Sequence, residues 1–150
     1  MFTGSLVALV TPIRNDKIDL AALKALIEWH IAQGTNGIVP CGTTGEAATL
    51  TTAEKAEIIK TTVMLCRGKI PVIPGTGSNA TPVTIEQTRM AKDLGADGAL
   101  VVTPYYNKPP QEGLFRHFEA TAKAVDLPIV LYNVPGRTAV NMTAETTARL

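Results

Sequence analysis

Short apolar segments rich in β-branched residues recur along the chain, separated by longer stretches of mixed polarity. They begin about every 27 to 34 residues, the length of one strand followed by a helix and its turns. Continuous apolar runs of this length are typical of parallel strands that are covered on both faces. We therefore predict five strands, at SLVALV (5–10), NGIVP (36–40), IPVIP (70–74), DGALVV (97–102) and LPIVLY (127–132).

The stretches between these strands have the apolar spacing of amphipathic helices. Asp19 is placed to cap the first helix, and Thr51 and Glu54 form a capping-box pattern at the start of the second. Thr81-Pro82 opens the third, because proline in the first turn loses no needed hydrogen bond. The inward positions of the first and fourth helices are Leu20, Leu23, Ile27 and Ile31, and then Leu114, Phe115, Phe118, Ala122 and Val125.

Strands and helices that alternate in this way predict an α/β fold with a parallel sheet. The first strand is not followed by the GxGxxG turn of a dinucleotide-binding sheet, which favours a closed (β/α)8 TIM barrel. Such a barrel needs roughly 200 residues or more, and the 150 residues here supply about five βα units before AETTARL opens another helix. We therefore predict that residues 1–150 are the N-terminal half of a single TIM-barrel domain, whose remainder lies outside this chain.

Composition narrows the function classes. Apolar residues make up 45% of the chain and charged residues 18%, and the net charge of +1 is scattered, which argues against nucleic acid as a partner. The N-terminus lacks a secretory signal, and no apolar run approaches the roughly 20 residues that span a bilayer, so we expect no membrane association. Cys41 and Cys66 do not form a disulfide framework. A cytoplasmic protein that handles a small molecule is the best interpretation.

In a barrel of this type the active site lies at the carboxyl ends of the strands. Polar and glycine residues follow the predicted strands there, at Thr11-Pro12, 42–46, 75–77, 103–107 and 132–137. The set offers hydroxyls, backbone amides and one cation. It offers no metal site, since His30 and His117 fall within different helices, and it implies no cofactor. Cys41 has no predicted histidine nearby and is interpreted as a packing residue.

These side chains suit a small anionic carbonyl substrate. Tyr106 and Tyr132 are weak bases alone, but a threonine hydroxyl between them both donates and accepts and so could relay a proton. Arg137 stays charged and can hold a carboxylate with two parallel hydrogen bonds. The glycine-rich turn CGTTGE (41–46) by itself leaves three interpretations open: a phosphate site, a carboxylate site, or a tight bend.

Four segments closely resemble the dihydrodipicolinate synthase family, class I aldolase-type enzymes with a (β/α)8 barrel. The segments are MFTGSLVALVTP at the start, GTTGE at 42–46, TPYYN at 103–107 and YNVPGRT at 132–138, and the similarity covers all 150 residues. GxTGE alone would indicate only the wider pyruvate-lyase superfamily, which includes N-acetylneuraminate lyase. The second threonine and the arginine of VPGRT narrow the resemblance to the synthase.

The resemblance implies condensation of pyruvate with aspartate semialdehyde to 4-hydroxy-tetrahydrodipicolinate, in diaminopimelate and lysine biosynthesis. Thr43 and Thr44 would hold the pyruvate carboxylate, and Arg137 the carboxylate of the semialdehyde. Tyr132 would pass protons through Thr43 to Tyr106, and a neighbouring subunit would supply that last tyrosine. The implied assembly is therefore a dimer that completes the site, and a homotetramer is the family expectation. Glu46 is expected to order the turn.

The chain departs from the family in its nucleophile. Pyruvate would form a Schiff base with a lysine at the end of the sixth strand, and this chain stops sooner. Lys69, Lys108 and Lys123 do not fit the role, because they lie at the wrong end of a strand, in a loop and on a helix. We therefore expect the enzyme activity, a lyase, only of the full-length protein, and none of the 150-residue chain alone.

A second departure concerns feedback by lysine. Family members that are inhibited by lysine bind it through residues at the dimer interface, and of these Asn79 and Tyr105 remain here as weak allosteric candidates. The other matching positions carry Ala47, Thr52, Lys55 and Val83. We predict weak or absent inhibition by lysine.

Three other functions stay open from the sequence. The chain could belong to a 2-oxo-acid aldolase like N-acetylneuraminate lyase, against which Arg137 argues. It could be a phosphate-binding barrel in which GTTGE and GTGSNAT hold the phosphate by backbone amides. It could also be a non-catalytic half-barrel that acts only by association with another copy.

Overall fold

The computed structural model describes residues 2–150 and shows an α/β fold. In chain order its strands and helices are β1 (Leu6–Ala8), β2 (Ile13–Arg14), β3 (Lys17–Ile18), α1 (Leu20–Ala32), β4 (Gly37–Val39), α2 (Thr52–Cys66), α3 (Thr81–Asp93), β5 (Ala99–Val102), α4 (Gln111–Ala124), β6 (Ile129–Tyr132), α5 (Pro135–Thr138) and α6 (Ala144–Arg149). The predicted alternation of strands and helices is confirmed, including the new helix at the end of the chain.

The main strands pair in parallel, as predicted. β1 pairs with β4, with Leu6 opposite Gly37, and β5 pairs with β6, with Val102 opposite Tyr132. Parallel pairing brings the carboxyl ends of neighbouring strands to the same edge. The residues that follow β4, β5 and β6 therefore lie on one side of the fold.

The prediction of a full strand at 70–74 was wrong. Only isolated bridges form there, between Val72 and Ile38 and between Gly75 and Leu100. Pro71 and Pro74 have no N–H, so they accept hydrogen bonds from the neighbouring strands without donating any. The segment still lies between β4 and β5 and joins the two strand pairs.

The helix boundaries follow the signals in the sequence. Asp19 Oδ1 accepts the Ala22 N–H at 3.0 Å, and both hydrogen bonds of the Thr51–Glu54 capping box are present. One feature was not predicted: β2 and β3 form an antiparallel hairpin through Asn15 and Asp16, both with positive φ (52° and 57°). Two-residue turns of this kind need that backbone conformation. Each strand has only two residues, too few to produce a visible alternation.

Two hydrophobic clusters lie between the strands and the helices. The larger includes Leu23, Ile27, Ile38, Ile58 and Ile59, and the smaller includes Ala99, Val101, Leu114, Phe118 and Met142. On β5 the side chains alternate, so that Ala99 and Val101 are buried while Leu100 and Val102 line a cleft. β5 therefore has one face covered by helices and one face that lines the cleft. Among residues 2–150 no helix combines the length and apolar character needed to cross a bilayer.

Candidate active site

A cleft of about 420 Å³ lies at the carboxyl ends of β4, β5 and β6. It brings together four of the residues singled out from the sequence, namely Thr43, Tyr105, Tyr132 and Arg137. Three others, Thr44, Tyr106 and Asn79, are not among its lining residues. The lining is completed by Cys41, Gly42, Glu46, Ala47, Ala48, Lys55, Gly75, Gly77, Ser78, Gln87, Leu100, Val102, Val134 and Thr138.

The glycine-rich turn after β4 is wound tightly. The N–H groups of Gly45 and Ala47 both donate to the Gly42 carbonyl, at 3.1 and 3.3 Å. By contrast, among residues 2–150 the amides of Thr43 and Thr44 donate to no acceptor, and both residues are exposed. Two consecutive free amides at a turn form a concave donor site for an anion. The turn therefore leaves the N–H groups of Thr43 and Thr44 available to solvent or to a ligand.

The two glycines of the turn have different roles. A Cβ on Gly45 would lie 2.9 Å from the Leu9 carbonyl oxygen, so only glycine fits there. The hydroxyl of Thr11, which is buried, also donates to the Gly45 carbonyl at 2.8 Å and ties the turn to the segment after β1. A Cβ on Gly42 would meet nothing closer than 3.8 Å. Packing within the chain thus requires Gly45 but leaves space at Gly42, on the wall of the cleft.

Cys41 lines the cleft without being set up as a nucleophile. Burial raises the pKa of its thiol to about 12, with the positive charge of Lys55 lowering it in part. The thiol therefore stays protonated near neutral pH, and only the thiolate is strongly nucleophilic. The structure supports the interpretation of Cys41 as a packing residue, at 1% exposure.

The loop after β5 carries two tyrosines that point differently. Tyr105 lines the cleft, whereas Tyr106 is 89% exposed and lies outside it. Tyr106 has φ of 73°, and the Asn107 N–H donates across it to the Tyr105 carbonyl at 2.9 Å. The Asn107 side chain donates to the Asn79 carbonyl at 3.0 Å. Within one chain, then, Tyr106 does not join Thr43 and Tyr132.

Lys55 and Gln87 line the cleft, although the sequence did not suggest that they would. The Lys55 Nζ lies 3.4 Å from the Gln87 Oε1. The sequence analysis treated Lys55 only as a departure from the lysine-binding pattern and did not mention Gln87. Both residues lie inside helices, α2 and α3. In a helix, the sequence does not distinguish a polar residue that lines a cleft from one that faces solvent.

The three lysines rejected from the sequence lie elsewhere. Lys69 lines a shallow hollow beside Arg67 and Asp97, and Lys123 pairs with Glu119 at 2.8 Å on α4. Lys108, in the loop after β5, is not among the lining residues of the cleft. Lys55 is thus the one lysine of residues 2–150 that lines it.

The comparisons with known proteins agree with one another. The chain matches the Dihydrodipicolinate synthetase family over residues 1–150. It is 59% identical over 147 residues to the 4-hydroxy-tetrahydrodipicolinate synthase of Anaeromyxobacter dehalogenans (strain 2CP-C), covering 98% of this chain and 50% of that protein. The synthase of Thermodesulfovibrio yellowstonii is 58% identical over 150 residues, with coverage of 100% and 52%.

One solved structure is similar to this chain over its whole length. The chloride-inhibited dihydrodipicolinate synthase from Acinetobacter baumannii, complexed with pyruvate, superposes with a TM-score of 0.99 at 55% identity and covers 100% of this chain and 52% of that one. The chain therefore spans about half the length of the curated relatives it matches.

Proposed function

Because the chain belongs to the dihydrodipicolinate synthetase family, we propose that the full-length protein condenses pyruvate with aspartate semialdehyde to 4-hydroxy-tetrahydrodipicolinate. This is a lyase reaction of diaminopimelate and lysine biosynthesis, and we propose that the protein is cytoplasmic. Residues 1–150 are proposed to be the N-terminal half of one TIM barrel, and the lysine that forms the Schiff base is proposed to lie in the other half.

The observation that carries the proposal is the composition of the cleft. Thr43 of the free-amide turn, Tyr132 and Arg137 all line this one cleft. A free-amide turn and a guanidinium are two separate sites for carboxylates, and both proposed substrates carry one. The Acinetobacter baumannii relative is described as a pyruvate complex.

The proposed roles are those that the family resemblance implies, and the positions of Thr43, Tyr132 and Arg137 in the cleft support them. The amides and hydroxyls of Thr43 and Thr44 hold the pyruvate carboxylate, so that its ketone faces the attacking lysine amine. The amine adds to the ketone and water leaves, which requires protons to move to and from the departing oxygen. Tyr132 is placed to exchange these protons, with Thr43 as the link to a second tyrosine. Arg137 then holds the semialdehyde by its carboxylate while the carbon–carbon bond forms.

We propose that Tyr106 acts in the site of a neighbouring subunit. Its 89% exposure and its position outside the cleft of its own chain support this assignment. The site is then complete only in a dimer, and a tetramer built from two such dimers is the family expectation.

The function is tested by trapping the Schiff base. The full-length protein is treated with pyruvate and borohydride, and the modified lysine is located by peptide mass spectrometry. We expect a reduced pyruvate adduct on a lysine beyond Leu150, and borohydride without pyruvate serves as the control. Absence of an adduct would reject the aldolase mechanism. An adduct on Lys55 would overturn the assignment of the nucleophile to the other half of the protein.

The phosphate-binding alternative gains one observation from the structure. Lys55, which comes from α2, lines the same cleft as Gly42, Gly75 and Gly77, so a cation does lie near the two glycine-rich turns. Family membership favours the condensation reaction over this alternative. Inorganic phosphate that competes with pyruvate at micromolar concentration would reverse that preference.

A further inference from the structure

Arg137 is carried by a loop that spans residues 133–142, between β6 and α6. The loop contains the single turn of α5 and a left-handed residue, Ala139, with φ of 58°. Arg137 is exposed and lines the cleft, and among residues 2–150 its guanidinium forms no ion pair or hydrogen bond. A flexible side chain on such a loop binds well only if the loop itself is fixed.

One side chain closes the two ends of this loop. The Asn133 Oδ1 accepts the Met142 N–H at 3.0 Å, and its Nδ2 donates to the Met142 carbonyl at 3.3 Å and to the Asn141 Oδ1 at 2.8 Å. The arrangement uses both an acceptor and two donors, which only an amide side chain supplies. Aspartate would keep the first bond but would place a carboxylate oxygen against two other oxygens.

The segment that Asn133 holds is itself anchored to α4. The Gln111 Nε2 donates to the Asn141 carbonyl at 2.8 Å, and the Gln111 Oε1 accepts from the Thr143 N–H at 3.1 Å and from the Thr146 hydroxyl at 2.7 Å. Asn133 directly follows Tyr132, the last residue of β6. The end of the strand that carries Tyr132 is thus joined through Asn133 to a fixed point on the neighbouring helix.

The middle of the loop is braced separately. The Thr138 hydroxyl, in a side chain that is 2% exposed, lies 2.9 Å from the Val140 carbonyl and 3.2 Å from the Val134 carbonyl, and its one hydrogen is donated to either of them. These contacts lie within the loop, whereas the bonds of Asn133 join its two ends.

We propose that Asn133 is a positioning residue that sets the Arg137 guanidinium relative to the Tyr132 phenol and so determines the affinity for the aldehyde substrate. The inference rests on the proposed function, in which Arg137 holds the carboxylate of that substrate. Asn133 is exposed and belongs to neither hydrophobic cluster. Its removal should therefore misplace Arg137 without deleting a core side chain, although Met142, whose backbone Asn133 holds, belongs to the smaller cluster.

The test measures the KM of each substrate in the full-length Asn133→Ala variant. A displaced guanidinium should raise the KM for aspartate semialdehyde on the order of tenfold, while the KM for pyruvate stays within about twofold because the turn at 42–46 is untouched. Asn133→Asp, which keeps one of three bonds, should fall close to Asn133→Ala. Asn141→Ala, which removes one bond and leaves the pairing with Met142, is the matched control and should change the KM for the semialdehyde by less.

A double-mutant cycle separates positioning from a general structural effect. In an Arg137→Ala background, Asn133→Ala should add nothing to the KM for the semialdehyde, because the group that it positions is gone. Additive effects, a parallel rise in both KM values, or a semialdehyde KM equal to that of the wild type would overturn the inference. Trapping with pyruvate and borohydride is done on every variant. An adduct with an unchanged semialdehyde KM defeats the role of Asn133 alone, whereas a missing adduct in the wild type defeats the proposed function.

Discussion

The loops after β5 and β6 are held very differently. Each follows a parallel strand and is associated with a tyrosine followed by asparagine: Tyr106-Asn107 lies within the β5 loop, whereas Tyr132 ends β6 and Asn133 begins the β6 loop. In the β6 loop Asn133 makes three hydrogen bonds within the chain, and Tyr132 lines the cleft. In the β5 loop Asn107 makes one side-chain bond, and Tyr106 lies in solvent.

The difference indicates which contacts stabilise each loop. A tyrosine in the left-handed region costs roughly 1–3 kcal/mol, which the surrounding structure must offset. Tyr106 at φ of 73° and 89% exposure has few contacts in its own chain to offset that cost. Hydrogen bonds within the chain hold the β6 loop in place, and we propose that contacts with a neighbouring subunit hold the β5 loop.

The largest effects should come from the two tyrosines. Removing either phenolic hydroxyl, by Tyr132→Phe or Tyr106→Phe in the full-length protein, should lower kcat by about 10²- to 10⁴-fold, the usual range for a lost proton-transfer group. Steady-state kinetics provides the measurement. Tyr105→Phe is the control, since Tyr105 lines the cleft but is not in the proposed relay, and an equal loss there would contradict the assignment.

The next effect concerns the cation of the β6 loop. Arg137→Lys keeps the charge but loses the paired donors, so the KM for aspartate semialdehyde should rise about 10- to 100-fold, the equivalent of one charge-assisted hydrogen bond. The KM for pyruvate should hardly change. A rise confined to pyruvate would exchange the proposed roles of Arg137 and the 42–46 turn.

A smaller effect is expected on the free energy of unfolding, to which the two loops should contribute unequally. Thr138→Val leaves the Val140 carbonyl without its hydroxyl donor, while the Val134 carbonyl keeps the N–H groups of Arg137 and Thr138, and the change should lower the free energy of unfolding by about 1–3 kcal/mol. Asn107→Ala removes one bond at an exposed site and should cost no more than about 1 kcal/mol. Urea unfolding of both full-length variants gives the two values. The reverse order would show that the β5 loop is the more firmly held of the two.

The smallest effect is expected from added lysine. Lys55 and Tyr105 both line the cleft, and the positive charge of Lys55 would repel the cationic groups of the ligand. We expect micromolar lysine to leave the initial rate of the full-length protein unchanged. Inhibition in that range would show that the protein binds lysine despite Lys55.

The regular parts of the fold could be predicted from the sequence because they depend on local patterns. Apolar spacing located α1 and the paired strands, and the Thr51–Glu54 motif located the start of α2. A full strand was wrongly predicted at 70–74, because the apolar residues of this segment suggested one. Its two prolines lack the N–H donors that a full ladder needs.

The remaining features depend on contacts that no local pattern shows. Gln111 and Asn141 are thirty residues apart in the chain, and nothing near either residue indicates that they are bonded. The left-handed backbone of Tyr106 is equally hidden, because that conformation is usually found at glycine or asparagine. Local patterns could therefore name Tyr106 and Tyr132, and only the family resemblance implied that Tyr106 serves a neighbouring subunit.

Subunit complementation tests the central claim most directly. Full-length Tyr106→Phe and Tyr132→Phe subunits are co-expressed in equal amounts and their activity is compared with that of each variant alone. If Tyr106 serves the neighbouring site, each mixed dimer contains one site with both phenols, and random pairing restores about one quarter of wild-type activity. If Tyr106 serves its own cleft, no site regains both phenols, and activity that stays at the level of the two parent variants would contradict the account.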